Sequence, residues 1–214
     1  MGNLINYRTY SRRRNMDTII KIKVIIGSTR PNRFSEKPAH WIYEESQKRE
    51  GVVAELLDLR DYAMPFFDQP MPPSMSGGKY ANDVVQAWAG KIKDGDAFII
   101  VTPEYNHGYP AVLKNALDSI FQEWNKKPVG FVSYGSAAGA RSVEQLRQVV
   151  IELQMIPIRN AIHIPSDVYR IVMNEKLPVA PELFKSLREP VDRVQLFLNE
   201  LIWLSSALKT MRNM

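Results

Sequence analysis

From Ile19 onward the chain repeats one unit: a short β-branched apolar run, a loop, then a stretch with helical spacing. Strands in strict alternation with helices require a parallel sheet, because a parallel pair must be joined by a crossover long enough to hold a helix. Helices then cover both faces. The strand-like runs fall at Ile19–Ile26, Val52–Leu59, Ala97–Thr102, Val129–Tyr134 and Ile156–Ile162. Between them, helical stretches run over about Ser35–Glu50 (stopping at Gly51), Lys79–Ile92, Ala111–Gln122 and Ser142–Met155. A loop through Pro165–Pro181 leads to a last helix at about Pro181–Leu208. Five strands in this pattern predict a three-layer α/β sandwich with strand order 2-1-3-4-5. A ligand then sits beyond the carboxyl ends of the strands, beside the switch point between strands one and three.

A length of 214 residues fits one such domain, read here as residues 18–214. The chain holds no cysteine, which removes disulfides, thiolate metal sites and cysteine nucleophiles. Any redox chemistry must therefore sit on a bound cofactor, and a reducing, cytoplasmic setting is expected. The net charge is +5, and three of those charges fall on residues 1–18, through Arg8, Arg12, Arg13 and Arg14 against Asp17. Residues 1–17 read as a flexible basic arm, or as an arm that docks on a partner subunit. Charge of this size favours anionic partners and does not by itself indicate nucleic acid. Lys21 and Lys23 interrupt the first apolar run, so it makes a poor signal-peptide core. The start of the chain lacks the Ser or Thr of a myristoylation pattern. No run approaches the roughly 18 apolar residues of a membrane span, and none is expected.

Chemistry concentrates in three loops at consecutive strand ends. The first, Gly27-Ser28-Thr29-Arg30-Pro31-Asn32-Arg33-Phe34-Ser35, follows strand one and opens a helix. A glycine for the tight turn, two hydroxyls, two guanidinium groups and a helix N-terminus suit a phosphate. The Lys and extra glycines of a Walker loop or a dinucleotide fingerprint are missing, and an ordinary strand-to-helix turn with exposed arginines also fits. The second, Pro103-Glu104-Tyr105-Asn106-His107-Gly108-Tyr109-Pro110, offers a phenol face and an amide for the face and edge of an aromatic ring. A plain Pro/Asn/Gly turn is its alternative. The third, Ser133–Arg141, is small and glycine-containing, so that its backbone can approach a ligand edge. A fourth segment, Met64–Gly78, carries four prolines and is long for a structureless connector, which marks it as a functional candidate.

These loops resemble the NAD(P)H-dependent FMN reductase and quinone reductase family, which has a flavodoxin-like fold. Its members carry Gly-Ser-x-Arg with a downstream Ser, then Pro-Glu-Tyr-Asn-x-x-x-Pro followed by Leu-Lys-Asn-Ala-Leu-Asp, then Tyr-Gly and a small-residue loop. The chain matches at Gly27, Ser28, Arg30 and Ser35, at Pro103–Asn106, Pro110 and Leu113–Asp118, and at Tyr134, Gly135 and Gly139. It departs at Ser136-Ala137-Ala138, where some members are richer in glycine. The resemblance spans about Ile19 to Pro165.

It implies non-covalent FMN, NADPH or NADH as hydride donor, and quinones, azo compounds, free flavin or related acceptors. It also implies a homodimer or homotetramer. The cofactor-binding residues expected are Ser28, Arg30 and Ser35 around the phosphate, with Arg33 and Phe34 added from the composition of the same loop, Pro103, Glu104, Tyr105 and Asn106 at the ring, and Tyr134, Gly135 and Gly139 at the remaining edge. The flavin itself carries the hydride, so no catalytic side chain and no metal are expected. Two other readings share the fold: a flavodoxin-type electron carrier, which the basic balance disfavours, and an FMN-binding protein that reports redox state to a partner.

Overall fold

The computed structural model describes residues 19–177, 181–188 and 192–214. The expected basic arm at residues 1–17 lies outside them. Strands β1 (Ile20–Ile26), β2 (Val52–Asp58), β3 (Ala97–Pro103) and β4 (Pro128–Tyr134) are each seven residues long. They pair in parallel in the order β2-β1-β3-β4. Two short strands, β5 (Ile156–Pro157) and β6 (Ile162–Ile164), share the next position along β4, giving the predicted order 2-1-3-4-5. Every residue of β3 and β4 is buried, as expected of strands covered on both faces.

Helices α1 (Glu36–Gln47), α5 (Ser166–Met173) and α6 (Arg193–Arg212) pack on one face. There Ile22, Val24, Val101 and Val132 meet Trp41, Ile42, Val172, Phe197 and Leu201. Helices α2 (Asp83–Asp94), α3 (Ala111–Asp118) and α4 (Ala140–Glu152) pack on the other. Here Ile25, Phe98, Ile100 and Phe131 meet Trp88, Ile92, Leu117 and Leu146. Each such side chain contributes roughly 1.5–3 kcal/mol when fully buried, so the two layers fix the sheet and leave its carboxyl edge as the free rim.

Five departures from the sequence expectation have identifiable causes. Helix α3 stops at Asp118, where the Ser119 hydroxyl donates to the Asn115 carbonyl at 2.6 Å. A 3-10 turn at Gln122–Trp124 then delivers Trp124 against Trp88 and Phe98. Helix α2 starts only at Asp83, because the Asn82 side chain caps the N–H groups of Val84 and Val85 at 2.9 and 3.2 Å.

The fifth strand is broken. The Glu200 carboxylate on α6 accepts from the backbone N–H groups of Arg159 and Asn160, at 2.9 and 3.0 Å, and pulls that segment out of the ladder. The expected loop after Pro165 instead holds α5, whose Val168 and Val172 are buried. Lys37 donates to the carbonyls of Val172, Met173 and Glu175 at the end of α5, a cation placed at a helix C-terminus. The last helix begins at Arg193, capped by Asp192, after a separate 3-10 segment at Pro181–Arg188.

Candidate functional site

The three loops converge at the carboxyl ends of β1, β3 and β4. Gly27 donates its N–H to the Val101 carbonyl at 2.8 Å, and a Cβ there would lie 2.8 Å from that same oxygen. Only glycine lets the first loop cross β3 this closely. Beyond it, two hydroxyl–phenol pairs stitch the loops together: Ser28 Oγ with Tyr105 OH at 2.9 Å, and Ser35 Oγ with Tyr134 OH at 2.6 Å. Burial pushes the Tyr134 phenol above its usual pKa, so it stays protonated and able to donate.

The two arginines of the first loop have opposite placements. Arg30 is exposed, lies 5.8 Å from the Tyr105 ring centroid, and has no ion pair among the described residues. Arg33 is buried. Its guanidinium donates to the Ser28 carbonyl at 2.5 Å, to Asp58 at the end of β2 through both Nη atoms, and to Glu36 at 3.0 Å. Burial pushes the Asp58 carboxyl up, but the hydrogen bond and charge of Arg33 outweigh it, and its pKa lies below the usual carboxylate range. Arg60 clasps the same loop from outside, donating to the carbonyls of Thr29 (3.3 Å) and Arg30 (2.6 Å) and to Glu36 (2.9 Å).

Phe34 also turns inward, edge-on to Tyr134 with centroids 4.8 Å apart and against Tyr169 at 4.6 Å. Arg33 and Phe34 were expected on the cofactor. Their side chains instead build the wall beneath the loop, because Asp58 and the α1/α5 core offer them full partners.

In the second loop, Tyr105 and Gly108 exchange backbone hydrogen bonds at 2.8 and 3.0 Å. Asn106 (φ 49°) and His107 (φ 77°) between them are both left-handed. A tight reversal with two left-handed centres normally recruits glycine, and non-glycine residues held this way cost on the order of 1 kcal/mol or more each. The reversal puts both side chains at the exposed rim. Glu104 points the other way. Its side chain is only 3% exposed and pairs with Arg141 Nη2 at 2.5 Å, joining the second loop to the third. The Asn115 amide donates to the Pro65 carbonyl (2.9 Å) and accepts from the Phe67 N–H (3.0 Å), so the Leu-Lys-Asn stretch holds the proline-rich segment.

The third loop is wound in left-handed conformation at Ala138 (φ 53°) and Gly139 (φ 74°). A Cβ on Gly139 would lie 2.6 Å from Ser133 Cβ and 2.7 Å from the Tyr134 nitrogen, which reserves the position for glycine. Gly135 lies against Glu104, and Pro103 is buried with its carbonyl accepting from Ser142 Oγ at 3.0 Å. The expected set Ser28, Arg30, Ser35, Glu104, Tyr105, Tyr134, Gly135 and Gly139 is thus contiguous at one rim. Sequence reasoning missed Asp58 and Arg60, which hold the first loop. Asp58 alone had a readable signal, a carboxylate closing strand two opposite an arginine-bearing loop.

A doubly covered parallel sheet with a hydroxyl- and arginine-bearing loop at its switch point and an aromatic loop beside it is the architecture of a flavodoxin-like protein suited to a mononucleotide. The family model for NADPH-dependent FMN reductase matches residues 20–168, and the chain belongs to that family. It is 39% identical over 149 residues to an NAD(P)H-dependent FMN reductase of Schizosaccharomyces pombe, an alignment covering 69% of this chain and 74% of that one. It is 38% identical over 144 residues to an NADPH:quinone oxidoreductase of Arabidopsis thaliana, covering 64% and 69%. The solved structure of the flavoenzyme FerB, an NAD(P)H:(acceptor) oxidoreductase from Paracoccus denitrificans, has the same fold with a TM-score of 0.63. It is 20% identical and covers 86% of this chain and 97% of that one. The chain is an oxidoreductase of this family, with FMN as cofactor and NADPH or NADH as donor. No helix among the described residues is long and apolar enough to cross a membrane.

Proposed function

We propose that the chain binds FMN across the three loops and reduces quinones or related small acceptors at that site, as a homodimer. The donor set fits the cofactor. Ser28 and Ser35 supply hydroxyls, and Arg30 supplies the one guanidinium of the first loop that is free of a carboxylate among the described residues. An unpaired cation above a strand–glycine turn is the observation that carries the phosphate assignment. Tyr105 and Asn106 meet the ring, and the backbone at Tyr134, Gly135 and Gly139 borders its other edge. Arg33 acts as a strut: with Asp58 and Arg60 it fixes the carbonyls of residues 28–30 on one side of the loop. FMN, when bound, supplies the hydride chemistry between the nicotinamide donor and the acceptor. The protein's share is orientation, exclusion of water and polar contact at the ring edge.

The dimer rests on the segment 64–82. Phe66 is 78% exposed, and Phe67, Met71 and Met75 are exposed around it. They border a cleft of about 290 Å³ that also involves Val85 and Ser119. None of the three strand-end loops lines this cleft. Apolar knobs beside an apolar cleft suit the self-matching contact of two copies.

The visible spectrum of the purified protein tests the cofactor reading. Flavin bands near about 370 and 450 nm should be present or appear on adding FMN, and NADPH should bleach them anaerobically. A protein that stays colourless and takes up no FMN would overturn it.

A further inference from the structure

His163 has no place in the assignments above, yet it is wired into the third loop. The register of β6 on β4 sets His163 beside Ser133. His163 Nδ1 lies 2.8 Å from Ser133 Oγ, and Ser133 Oγ lies 2.9 Å from the Ala138 carbonyl. A hydroxyl has a single proton, and a carbonyl can only accept. The Ser133 proton therefore goes to Ala138, and Nδ1 of His163 must be the donor to Ser133. Burial holds the imidazole below its usual pKa, so the group is neutral near pH 7 and carries its proton on Nδ1.

The chain of two bonds ends on Ala138, whose backbone His163 also reaches directly; Ala138 is an L-residue held at φ 53°, next to Gly139 at φ 74°. These are the residues that turn β4 into α4, and their conformation decides where the N–H groups of residues 135–139 point. The bond from Ser133 offsets part of the cost of that conformation.

We propose that His163 is a positioning residue for the flavin ring: acting through Ser133, it fixes the loop whose backbone meets the polar edge of the ring. The inference rests on the FMN reading above. A loop held this way presents preset donors to the ring and favours its more electron-rich form. A slack loop must be ordered by the ligand and favours that form less. The Ser28–Arg30–Ser35 loop follows another strand and meets the third loop only through the Ser35–Tyr134 pair, whose Tyr134 is held in β4, so the phosphate contacts change least.

The test uses FMN-loaded full chain carrying His163→Leu, Ser133→Ala, both together, or His163→Asn, which retains a donor near the position of Nδ1. Each of the first two should lower the midpoint potential of bound FMN. Each should also weaken FMN and riboflavin by the same factor, about five- to twentyfold. The double variant should be no worse than the more severe single one, because both break one chain of bonds. His163→Asn should restore most of the potential.

Unchanged potential and riboflavin affinity in both single variants would overturn the proposal, whatever happens to the melting temperature. Additive losses in the double variant would overturn it too, by separating His163 from Ser133. Should His163→Leu fail to fold, Ser133→Ala breaks the relay from His163 to Ala138 with the loss of one oxygen, and its potential and riboflavin affinity decide. A wild-type chain that binds no flavin would count against the FMN reading instead.

Discussion

Two arginines three residues apart in one loop do different work, and their variants should separate cleanly. Arg30 is exposed and unpaired among the described residues, so Arg30→Ala should leave the melting temperature almost unchanged. Losing one charge-assisted contact to phosphate should weaken FMN by roughly 1.5–3 kcal/mol and riboflavin far less, as read by fluorescence titration of both ligands. Equal losses for the two ligands would remove Arg30 from the phosphate. Arg33 is buried on Asp58. Asp58→Ala leaves its charge without its main partner and should cost about 2–4 kcal/mol of stability in a urea melt. That range is placed toward the low side for a buried pair because Asp58 is itself one-quarter exposed. A variant as stable as the parent would show that Glu36 and the Ser28 carbonyl suffice for Arg33.

Elements are tied together at the opposite end of the sheet by Asp94, the last residue of α2. Its oxygens accept from Lys21 at 2.5 Å and Lys23 at 2.7 Å, both on β1. A carboxylate at a helix C-terminus opposes the helix dipole, and the two lysines offset that cost. The hydrogen bond from Lys21, then that from Lys23, brings the Asp94 pKa down to about 2, below its ordinary 3.8. A carboxyl depressed on folding stabilises the fold above its unfolded pKa, and that stability is lost as pH falls through the folded value. The window is therefore from about pH 4 down to about pH 2. Asp94 is half-exposed, so its share at neutral pH should stay under about 1 kcal/mol. Urea midpoints at about pH 6 and about pH 3 should fall less in Asp94→Asn than in the parent. An identical fall in both would place the acid sensitivity elsewhere.

The same elements show what a sequence can and cannot disclose. The four long strands and their order were legible because burial on both faces writes continuous apolar runs, and the helices between them keep a 3.6-residue period. The loops were legible because glycine, phenol and guanidinium stand at fixed offsets from strand ends. The break between β5 and β6 was not, since it depends on Glu200 about forty residues away in the chain. Helix α5 has only eight residues behind a proline, too few to establish a period. The inward turn of Arg33 depends on a carboxylate 25 residues away, whose position at the end of strand two was readable, whereas the bond of His163 to Ser133 depends on the register of β6 against β4, which no local pattern records.

At the scale of the whole molecule, one domain leaves its proline-rich segment bare. Phe66, Phe67, Met71 and Met75 are exposed together, while Asn115 pins the segment by two backbone contacts so that it presents a defined face. A second copy using the same face in an isologous contact covers both sets of side chains at once, and a stable contact needs roughly 1,000 Å² or more of buried surface. Light scattering should then find a dimer at micromolar concentration. Phe66→Asp, a charge placed at the centre of the apolar patch, should give a monomer with an unchanged far-ultraviolet circular dichroism spectrum. Asn115 belongs to the helix that follows the Tyr105 loop, so the covered segment and the ring site share one support. The monomeric variant should therefore keep FMN, whose phosphate loop lies on other strands, yet lose most of its quinone reduction. On the proposed reading, donor and acceptor use the same open rim above Tyr105 in turn. Initial rates against NADPH at several fixed quinone concentrations should accordingly give parallel double-reciprocal lines, with each substrate competing against the other at high concentration. Intersecting lines would require both substrates to sit on the protein together and would rule out a shared rim. A monomeric parent with full activity would break the link between the apolar face and the site.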